Sequence, residues 1–272
     1  MANPIRKNKL AIMAMLLMII FALGQQGEAS IRIEPARFIL KVHPGERDTG
    51  AITVFNNTEQ TVNLVANFYD WDLDENSDMV IYDSGTLKET LDGLIRFNPR
   101  QFILEPGQSQ IVRFTVNMPE TGIDEEPFER RGIIFIEHED LFEEEEGFGA
   151  TIRSMIGATI YVQPVEYEMN FAVIEMVVHE TPDKQYIGGL LLGNPSLVHV
   201  RFFVNYRVIS ARGEEIEKGS ITEKVILPGQ VRPFYFFLEE NFPPGDYRVL
   251  VDIGFVDTNY NISDSIPFKV SD

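Results

Sequence analysis

The sequence predicts an all-β protein built from two immunoglobulin-like β-sandwich domains in tandem. Three observations support this fold class: apolar and polar residues alternate along many short segments, Pro-Gly turns separate these segments, and one turn-and-strand motif occurs twice. After residue 30 the sequence shows no convincing long amphipathic helix. The predicted architecture therefore consists of strands and turns.

Alternation of side chains indicates the strands. In residues 111–116 every second side chain is apolar, whereas Arg113 falls on the opposite face. A strand places successive side chains on opposite faces, so a period of two is typical of a strand with one buried face. The same alternation occurs at 51–55, 201–208 and 246–253.

A repeated motif divides the chain into two domains. A Pro-Gly turn begins an alternating strand within residues 103–114 and again within 226–234, about the length of one immunoglobulin-like domain apart. We therefore predict domains at 30–164 and 165–272. Pro164 is the expected hinge, because proline cannot donate a hydrogen bond to a sheet and often ends a strand.

Residues 1–29 are predicted to be a cleaved signal peptide. They begin with three basic residues and continue with an uncharged apolar run at 10–24. Small residues at Gly27 and Ala29 have the spacing that signal peptidase prefers, so we expect cleavage after Ala29. The alternative is a short membrane anchor, but the run is shorter than the roughly 20 residues that span a bilayer. We expect export, with no membrane insertion after the signal is removed.

The chain is strongly acidic and contains no cysteine. It has 23 Lys and Arg against 42 Asp and Glu, a formal net charge of -19, and residues 124–146 alone hold 11 acids and two bases. An acid excess argues against nucleic acid as a partner, since phosphate binding needs clustered cations. The absence of cysteine excludes disulfides, cysteine nucleophiles and thiolate zinc sites.

No motif indicates an enzyme, a metal site or another cofactor. The four histidines are scattered, and neither a serine-nucleophile motif nor a phosphate-binding glycine loop occurs. Residues 72–78 resemble the start of a calcium loop, but Ser77 stands where glycine is expected and Asp83 where a bidentate glutamate is expected. We predict a simple turn between strands at this position.

Three stretches of the first domain share a pattern with one known family. They are 33–40 with a single basic residue at Arg37, 97–116 with a Leu-x-Pro-Gly turn, and 131–136 followed by 152–164. Together they resemble the N-terminal domain of periplasmic pilus-assembly chaperones, the P-pilus chaperone family. The second domain matches that family only in length, strand content and position. The resemblance implies a boomerang-like arrangement of the two sandwiches and a periplasmic location.

The resemblance also implies a function. In this family the last strand of the first domain is lent to fibre subunits that lack a strand, and a basic pair in the interdomain cleft holds the subunit's terminal carboxylate. The expected role is a periplasmic chaperone that caps pilus or surface-fibre subunits by donor-strand complementation, with an outer-membrane usher as a further partner. Capping is needed because unpaired strand edges otherwise aggregate.

The family's functional residues carry over in part. Arg37 occupies the first basic position, whereas the second falls on Thr159, which is not a cation. The lent face falls on even-numbered positions of the last strand, which include Ile152, Ser154 and Ile156. Arg113 matches an arginine that takes part in an interdomain ion pair in the family.

Alternatives remain open for the function and for one segment. Thr159 and the weakly apolar lent face favour a periplasmic or cell-surface structural or adhesive protein without chaperone activity. An enzyme or a carbohydrate-binding module is a third hypothesis, although no catalytic constellation supports it. The acidic residues 137–146 form either a solvated loop or a flexible lip that becomes ordered when a subunit docks.

Overall fold

Strands make up the regular structure of the part of the chain that the structure describes. The computed structural model describes residues 30–120, 128–143, 149–239, 242–256 and 258–271, with the backbone alone at 139–143 and 149–153. These residues form seventeen strands, and the all-β prediction is confirmed. No helix of these residues is long and apolar enough to cross a membrane. The predicted signal peptide lies outside the described residues.

Ten strands form the first pair of sheets. They are β1 (Ile31–Glu34), β2 (Arg37–Lys41), β3 (Arg47–Asn56), β4 (Val62–Leu73), β5 (Met79–Asp83), β6 (Ile95–Asn98), β7 (Gln101–Leu104), β8 (Ser109–Asn117), β9 (Arg130–Glu143) and β10 (Gly149–Gln163). One sheet has the order β1-β3-β8-β6. The other has the order β2-β10-β9-β4-β5, and β7 also pairs with β4.

Side chains from these two sheets meet in one apolar core. Val112 and Phe114 enter it from β8, and Ile134 and Ile160 enter it from the facing sheet. All four are essentially inaccessible to solvent, and burial of each such side chain contributes about 1.5–3 kcal/mol. Arg113, between the two buried residues of β8, is exposed as the alternation predicted.

Seven strands form the second pair of sheets. They are β11 (Ala172–Glu180), β12 (Tyr186–Gly193), β13 (Val200–Ser210), β14 (Glu215–Ile226), β15 (Val231–Leu238), β16 (Gly245–Phe255) and β17 (Asn261–Val270). The sheets have the orders β11-β12-β15 and β14-β13-β16-β17, and they enclose a second core that contains Phe202, Val204 and Val251. The prediction of two immunoglobulin-like sandwiches in tandem is confirmed. Pro164 lies in the connection between β10 and β11, and a domain division at that residue stays a prediction.

A third apolar cluster joins the two sandwiches. Trp71, Ile133, Phe135 and Tyr161 come from β4, β9 and β10 of the first sandwich, and Leu227 follows β14 of the second. Trp71 packs edge-on against Tyr161, with 5.7 Å between the ring centroids. The second sandwich therefore rests on the sheet that contains β10.

A buried polar contact lies beside this apolar cluster. Glu129 Oε2 accepts a hydrogen bond from Gln163 Nε2 at 2.9 Å and lies 2.6 Å from His199 Nδ1, across the two sandwiches. The side chains of Glu129 and His199 are almost completely buried, and the imidazole packs against the Tyr161 ring at 4.0 Å. A carboxylate in this position needs these partners, because a buried charge without hydrogen bonds is costly.

Arg232 makes a second polar link between the sandwiches. Its Nη2 donates to the Leu73 carbonyl at 2.7 Å, and its Nη1 donates to the Asp74 carbonyl. Gln230 Nε2 donates to Asp72 Oδ1 at 3.1 Å. These contacts fix the start of β15 against the end of β4.

We expect His199→Ala to destabilise the protein by roughly 1–3 kcal/mol, because it removes a partner from a buried carboxylate. Denaturant unfolding should therefore show a lower midpoint than in the wild type. His179→Ala is the matched control, since His179 is exposed on β11. Equal midpoints for the two variants would contradict the stabilising role of the Glu129–His199 contact.

Candidate functional site

One side of β10 is partly unpaired. β9 pairs with β10 from Gly149 to Val162, whereas β2 pairs with its other side only from Thr159 to Gln163. In the described part of the chain, no strand pairs with this other side of β10 before Thr159. We call residues 154–158 of β10 the open edge.

Backbone groups of the open edge point towards the unpaired side. The Thr159 N–H donates to the Ala36 carbonyl at 3.0 Å, so it points to the side where β2 lies. Backbone groups alternate in direction along a strand, so the N–H and C=O of Gly157 and Met155 point to the same side. Edge groups of this kind are a template for pairing with another chain.

The side chains of the open edge differ in exposure. Ile156 packs partly against the first core, whereas Ser154 is exposed. The Ile152 side chain lies outside the described residues, so this member of the predicted lent face stays a prediction. Met155 is 48% exposed, and the alternation argument missed it as a large apolar group beside the open edge.

A cluster of charged side chains lies where the open edge ends. Arg37 on β2 is the register partner of Thr159, so these two predicted binding residues are neighbours. Arg37 Nη1 lies 3.3 Å from Glu223 Oε1, which belongs to β14 of the second sandwich. Arg201 of β13 donates to the same oxygen from Nε at 2.9 Å and from Nη2 at 2.8 Å. We call Arg37, Glu223 and Arg201 the arginine–glutamate cluster.

The two arginines keep Glu223 ionised. Partial burial raises the pKa of Glu223, but the hydrogen bond and charge of Arg201, followed by the charge of Arg37, outweigh this effect. The pKa of Glu223 is therefore lower than its ordinary value of 4.5. The side chains of Arg37 and Glu223 remain 39% and 41% exposed, so solvent screens their attraction.

Tyr161 lies two residues beyond Thr159 and has its side chain buried. Burial, and next the charge of Glu129, raise the pKa of Tyr161 to about 12, although Arg37 and Arg131 act in the opposite direction. The phenol is therefore neutral at physiological pH. Its ring belongs to the apolar cluster between the sandwiches. Arg37, the register partner of Thr159, therefore lies close to that junction.

No local sequence pattern predicts the contacts Arg37–Glu223, Arg201–Glu223 and Glu129–His199. In the sequence, Arg201 and Glu223 have the positions of ordinary polar residues in alternating strands. The sequence around His199 has no carboxylate at a spacing that indicates a contact. Its partner Glu129 is 70 residues earlier in the chain. Only the packing of the second sandwich against the first brings these groups together.

The interdomain ion pair expected for Arg113 stays a prediction. Arg113 is exposed on β8, and among the described residues it makes no hydrogen bond or ion pair. β8 lies in the sheet β1-β3-β8-β6, whereas the first-sandwich residues of the apolar cluster between the sandwiches come from the other sheet. Among the described residues, Arg37 of the first sandwich forms an ion pair with Glu223 of the second.

The acidic segment contains residues of two different kinds. Glu137 is buried and accepts hydrogen bonds from Asn67 Nδ2 at 3.0 Å and from the Tyr69 hydroxyl at 2.9 Å. This acid is therefore part of the sheet and not of a solvated loop. Residues 144–148 lie outside the described residues, so the flexible-lip hypothesis stays a prediction.

The segment 72–78 contains the predicted turn, which lies at residues 74–78 between β4 and β5. Asp74 Oδ1 accepts hydrogen bonds from the N–H groups of Asn76 and Asp78 at 2.8 and 2.9 Å. Ser77 has a φ of 65°, the left-handed conformation that such a turn requires. Among the described residues, no three His, Asp or Glu side chains come together in a way that could hold a metal ion.

Comparisons with known proteins identify similar solved structures. No family model matches the chain, and no curated protein matches it. The chain is similar to the class 5 fimbriae chaperone CfaA, with 15% identity, a TM-score of 0.48, and coverage of 88% of this chain and 100% of that one. It is similar to the chaperone YadV, with 13% identity, a TM-score of 0.48, and coverage of 88% and 99%.

A complex is also among the similar structures. The chain resembles the CsuC–CsuE chaperone–tip adhesion subunit pre-assembly complex of Acinetobacter baumannii, with 11% identity and a TM-score of 0.44. The similarity covers 88% of this chain and 98% of that chain. Each of these structures is a chaperone or contains one.

We expect the stabilising effect of Glu223 to disappear in acid. Its pKa is lowered on folding, so its contribution is present above the ordinary pKa of 4.5 and is lost as pH falls through the lower folded value. The difference in unfolding free energy between wild type and Glu223→Gln should shrink from pH 7 to pH values well below 4.5. Denaturant unfolding at several pH values measures it.

Glu215→Gln is the control for this experiment. Glu215 lies on the same strand, but its ion pair joins it to Lys218 and not to either arginine of the cluster. The difference in unfolding free energy between wild type and Glu223→Gln could instead stay constant or grow in acid. That result would show that Glu223 does not stabilise the folded state as an ion.

Proposed function

We propose that this protein is a chaperone that caps partner proteins by lending them β10 as a strand. The observation that carries the proposal is the open edge, which is held in a sheet on one side and is unpaired on the other. A partner that lacks a strand of its own can complete its sheet with this edge. The exchange of backbone hydrogen bonds supplies affinity without any catalytic step or cofactor.

The direction of the bound strand follows from the charge at the end of the open edge. β2 runs parallel to β10 and begins at Arg37. A partner strand that lies in line with β2 and runs parallel to β10 directs its C-terminal end towards Arg37. The opposite direction would place a terminal amine beside that guanidinium. Attraction between a carboxylate and a cation therefore favours the parallel orientation.

The apolar side chains of the open edge favour a partner whose binding surface is an apolar groove. Met155 is about half exposed, and Ile156 is only partly used by the protein's own core. Pilus or surface-fibre subunits that lack a strand have a groove of the required kind, as the family resemblance implies. We place the protein in the periplasm on the basis of the predicted signal peptide, and an usher is a further proposed partner.

We expect Met155→Pro to weaken partner capture by about tenfold or more, because proline removes an N–H that points to the unpaired side. The tagged mature protein, residues 30–272, should be expressed in the periplasm of its own cell and purified with its partners. Quantitative mass spectrometry then compares the amounts of co-purified β-rich secreted proteins. Met155→Ala is the matched control, since it removes the side chain and keeps the backbone N–H.

The two variants separate backbone pairing from loss of folding. Both should keep the wild-type unfolding midpoint, because this N–H is not directed at β9. Equal capture by Met155→Pro and Met155→Ala would contradict strand lending through the open edge.

An exposed apolar surface on the second sandwich favours a second candidate function. Tyr235 and Phe237 on β15 are 63% and 62% exposed and lie on the same face of the strand. A structural or adhesive interaction protein of the periplasm or cell surface could use such a face. Partners retained by Met155→Pro but lost by Phe237→Ser would favour this function over the chaperone.

A further inference from the structure

The outer face of the sheet β1-β3-β8-β6 is basic, although the chain is strongly acidic. The side chains that point away from the first core alternate with the buried ones, and they include four arginines and one glutamate. These charged residues are Arg32, Glu34, Arg47, Arg96 and Arg113. The chain as a whole has 23 Lys and Arg against 42 Asp and Glu, so the excess of bases is a local feature of this face.

Three of the arginines surround one threonine. Thr115 on β8 is the register partner of Thr49 on β3 and of Arg96 on β6. Arg113 lies two residues before Thr115 on β8, and Arg47 lies two residues before Thr49 on β3. We call these five residues the arginine face.

The three arginines of this face are accessible to a ligand. All three are exposed, and among the described residues none of them makes a hydrogen bond or an ion pair. Arg32 differs from them, because its Nη1 lies 2.8 Å from Glu34 Oε2 and its guanidinium lies over the Phe55 ring. An exposed guanidinium with no partner can form two parallel hydrogen bonds with a carboxylate.

Small side chains leave room for a ligand between the arginines. Thr49, Ala51, Arg113 and Thr115 line a depression of about 380 Å³ on this side of the sheet. The hydroxyls of the two threonines can donate hydrogen bonds to a carboxylate. The arginine face is therefore a basic strip with neutral polar groups at its centre.

We propose that the arginine face binds an extended segment of a partner protein that carries acidic side chains at alternate positions. The register places Arg113, Arg96 and Arg47 two residues apart along the strand direction, which is about 7 Å for each step. Alternate side chains of an extended segment have the same spacing, so three acids can each meet one guanidinium. The open edge belongs to the other sheet of the first sandwich, so this site goes beyond strand lending and does not depend on it.

Acids beside the arginine face favour a narrow ligand over a flat anionic surface. The exposed Glu46 precedes Arg47, and the exposed Glu120 lies against Gly45. A membrane with anionic headgroups would bring phosphates against these acids as well as against the arginines. A single extended segment needs only the strip between the arginines, and charges farther away than about 8 Å are screened at physiological ionic strength.

The net charge also disfavours a second copy of the chain as the occupant. Such a contact would bring together two molecules that each have a formal net charge of -19. A short acidic segment of another protein carries far less charge and fits the strip. Complementary charge therefore favours this occupant.

The probe for the experiment is a short peptide of alternating Glu and Thr, whose acetylated and amidated ends carry no charge. Its counterpart has Gln in place of Glu. Fluorescence anisotropy at about 0.15 M ionic strength measures the affinity of both peptides for the mature protein. We expect the Glu peptide to bind about tenfold more tightly than the Gln peptide, because only its carboxylates can pair with the arginines.

Variants of the arginine face should weaken binding of the Glu peptide alone. We expect a loss of about tenfold for the double variant Arg96→Gln/Arg113→Gln and about threefold for Arg47→Gln. Arg207→Gln is the matched control and should bind as the wild type does, since Arg207 is an exposed arginine of the second sandwich that is paired with Asp252. An unchanged unfolding midpoint shows that each variant is folded.

Several outcomes would overturn the proposal. Equal affinities of the Glu and Gln peptides for the wild type would do so, as would wild-type affinity for the Glu peptide in the folded double variant. Binding of phosphatidylglycerol vesicles without binding of the Glu peptide would assign the face to a membrane instead. A dimer that sedimentation velocity detects in the wild type but not in the double variant would assign it to a second copy. The comparison of Met155→Pro with Met155→Ala independently decides whether β10 is lent.

Discussion

The parallel pairing of β2 with only the last five residues of β10, Thr159–Gln163, is the constraint on which the site depends. β9 holds β10 in place along nearly its full length, so the strand is fixed even where its second side is unpaired. The pairing starts at Arg37, so a positively charged side chain lies where the open edge ends and the pairing with β2 begins. The register between β2 and β10 therefore determines where the open edge ends, the direction expected for a partner strand and the position of the Arg37 charge.

Packing between the sandwiches brings the second sandwich to this point. The apolar cluster around Trp71 and the buried Glu129–His199 contact hold the second sandwich against the sheet that contains β10. This arrangement brings Glu223 and Arg201 to Arg37. The side chains of Glu129 and His199 are almost completely buried, whereas those of Arg37 and Glu223 at the end of the open edge are partly exposed. The Glu129–His199 contact therefore contributes to fixing the arrangement of the two sandwiches.

The sequence predicts the strands well because the information is local. Alternation placed Val112 and Phe114 inside and Arg113 outside, and Asp74 made the turn expected between β4 and β5. The adjacency of Arg37 and Thr159 came from the family resemblance. The arginine–glutamate cluster could not be predicted, because Arg201 and Glu223 meet Arg37 only after two separate sheets pack. Alternation could not decide the role expected for Arg113 either, since it assigns a face of a strand and not the neighbour of that face.

Amide hydrogen exchange at Met155 and Gly157 tests the central claim most directly. Their N–H groups point to the unpaired side, so they should exchange quickly in the free protein, whereas the N–H of Thr159, bonded to Ala36, should exchange slowly. Capture of a partner should slow exchange at Met155 and Gly157 and leave Thr159 unchanged. Fast exchange at both residues in the complex would contradict the account, because the open edge would then be unpaired in the bound state as well.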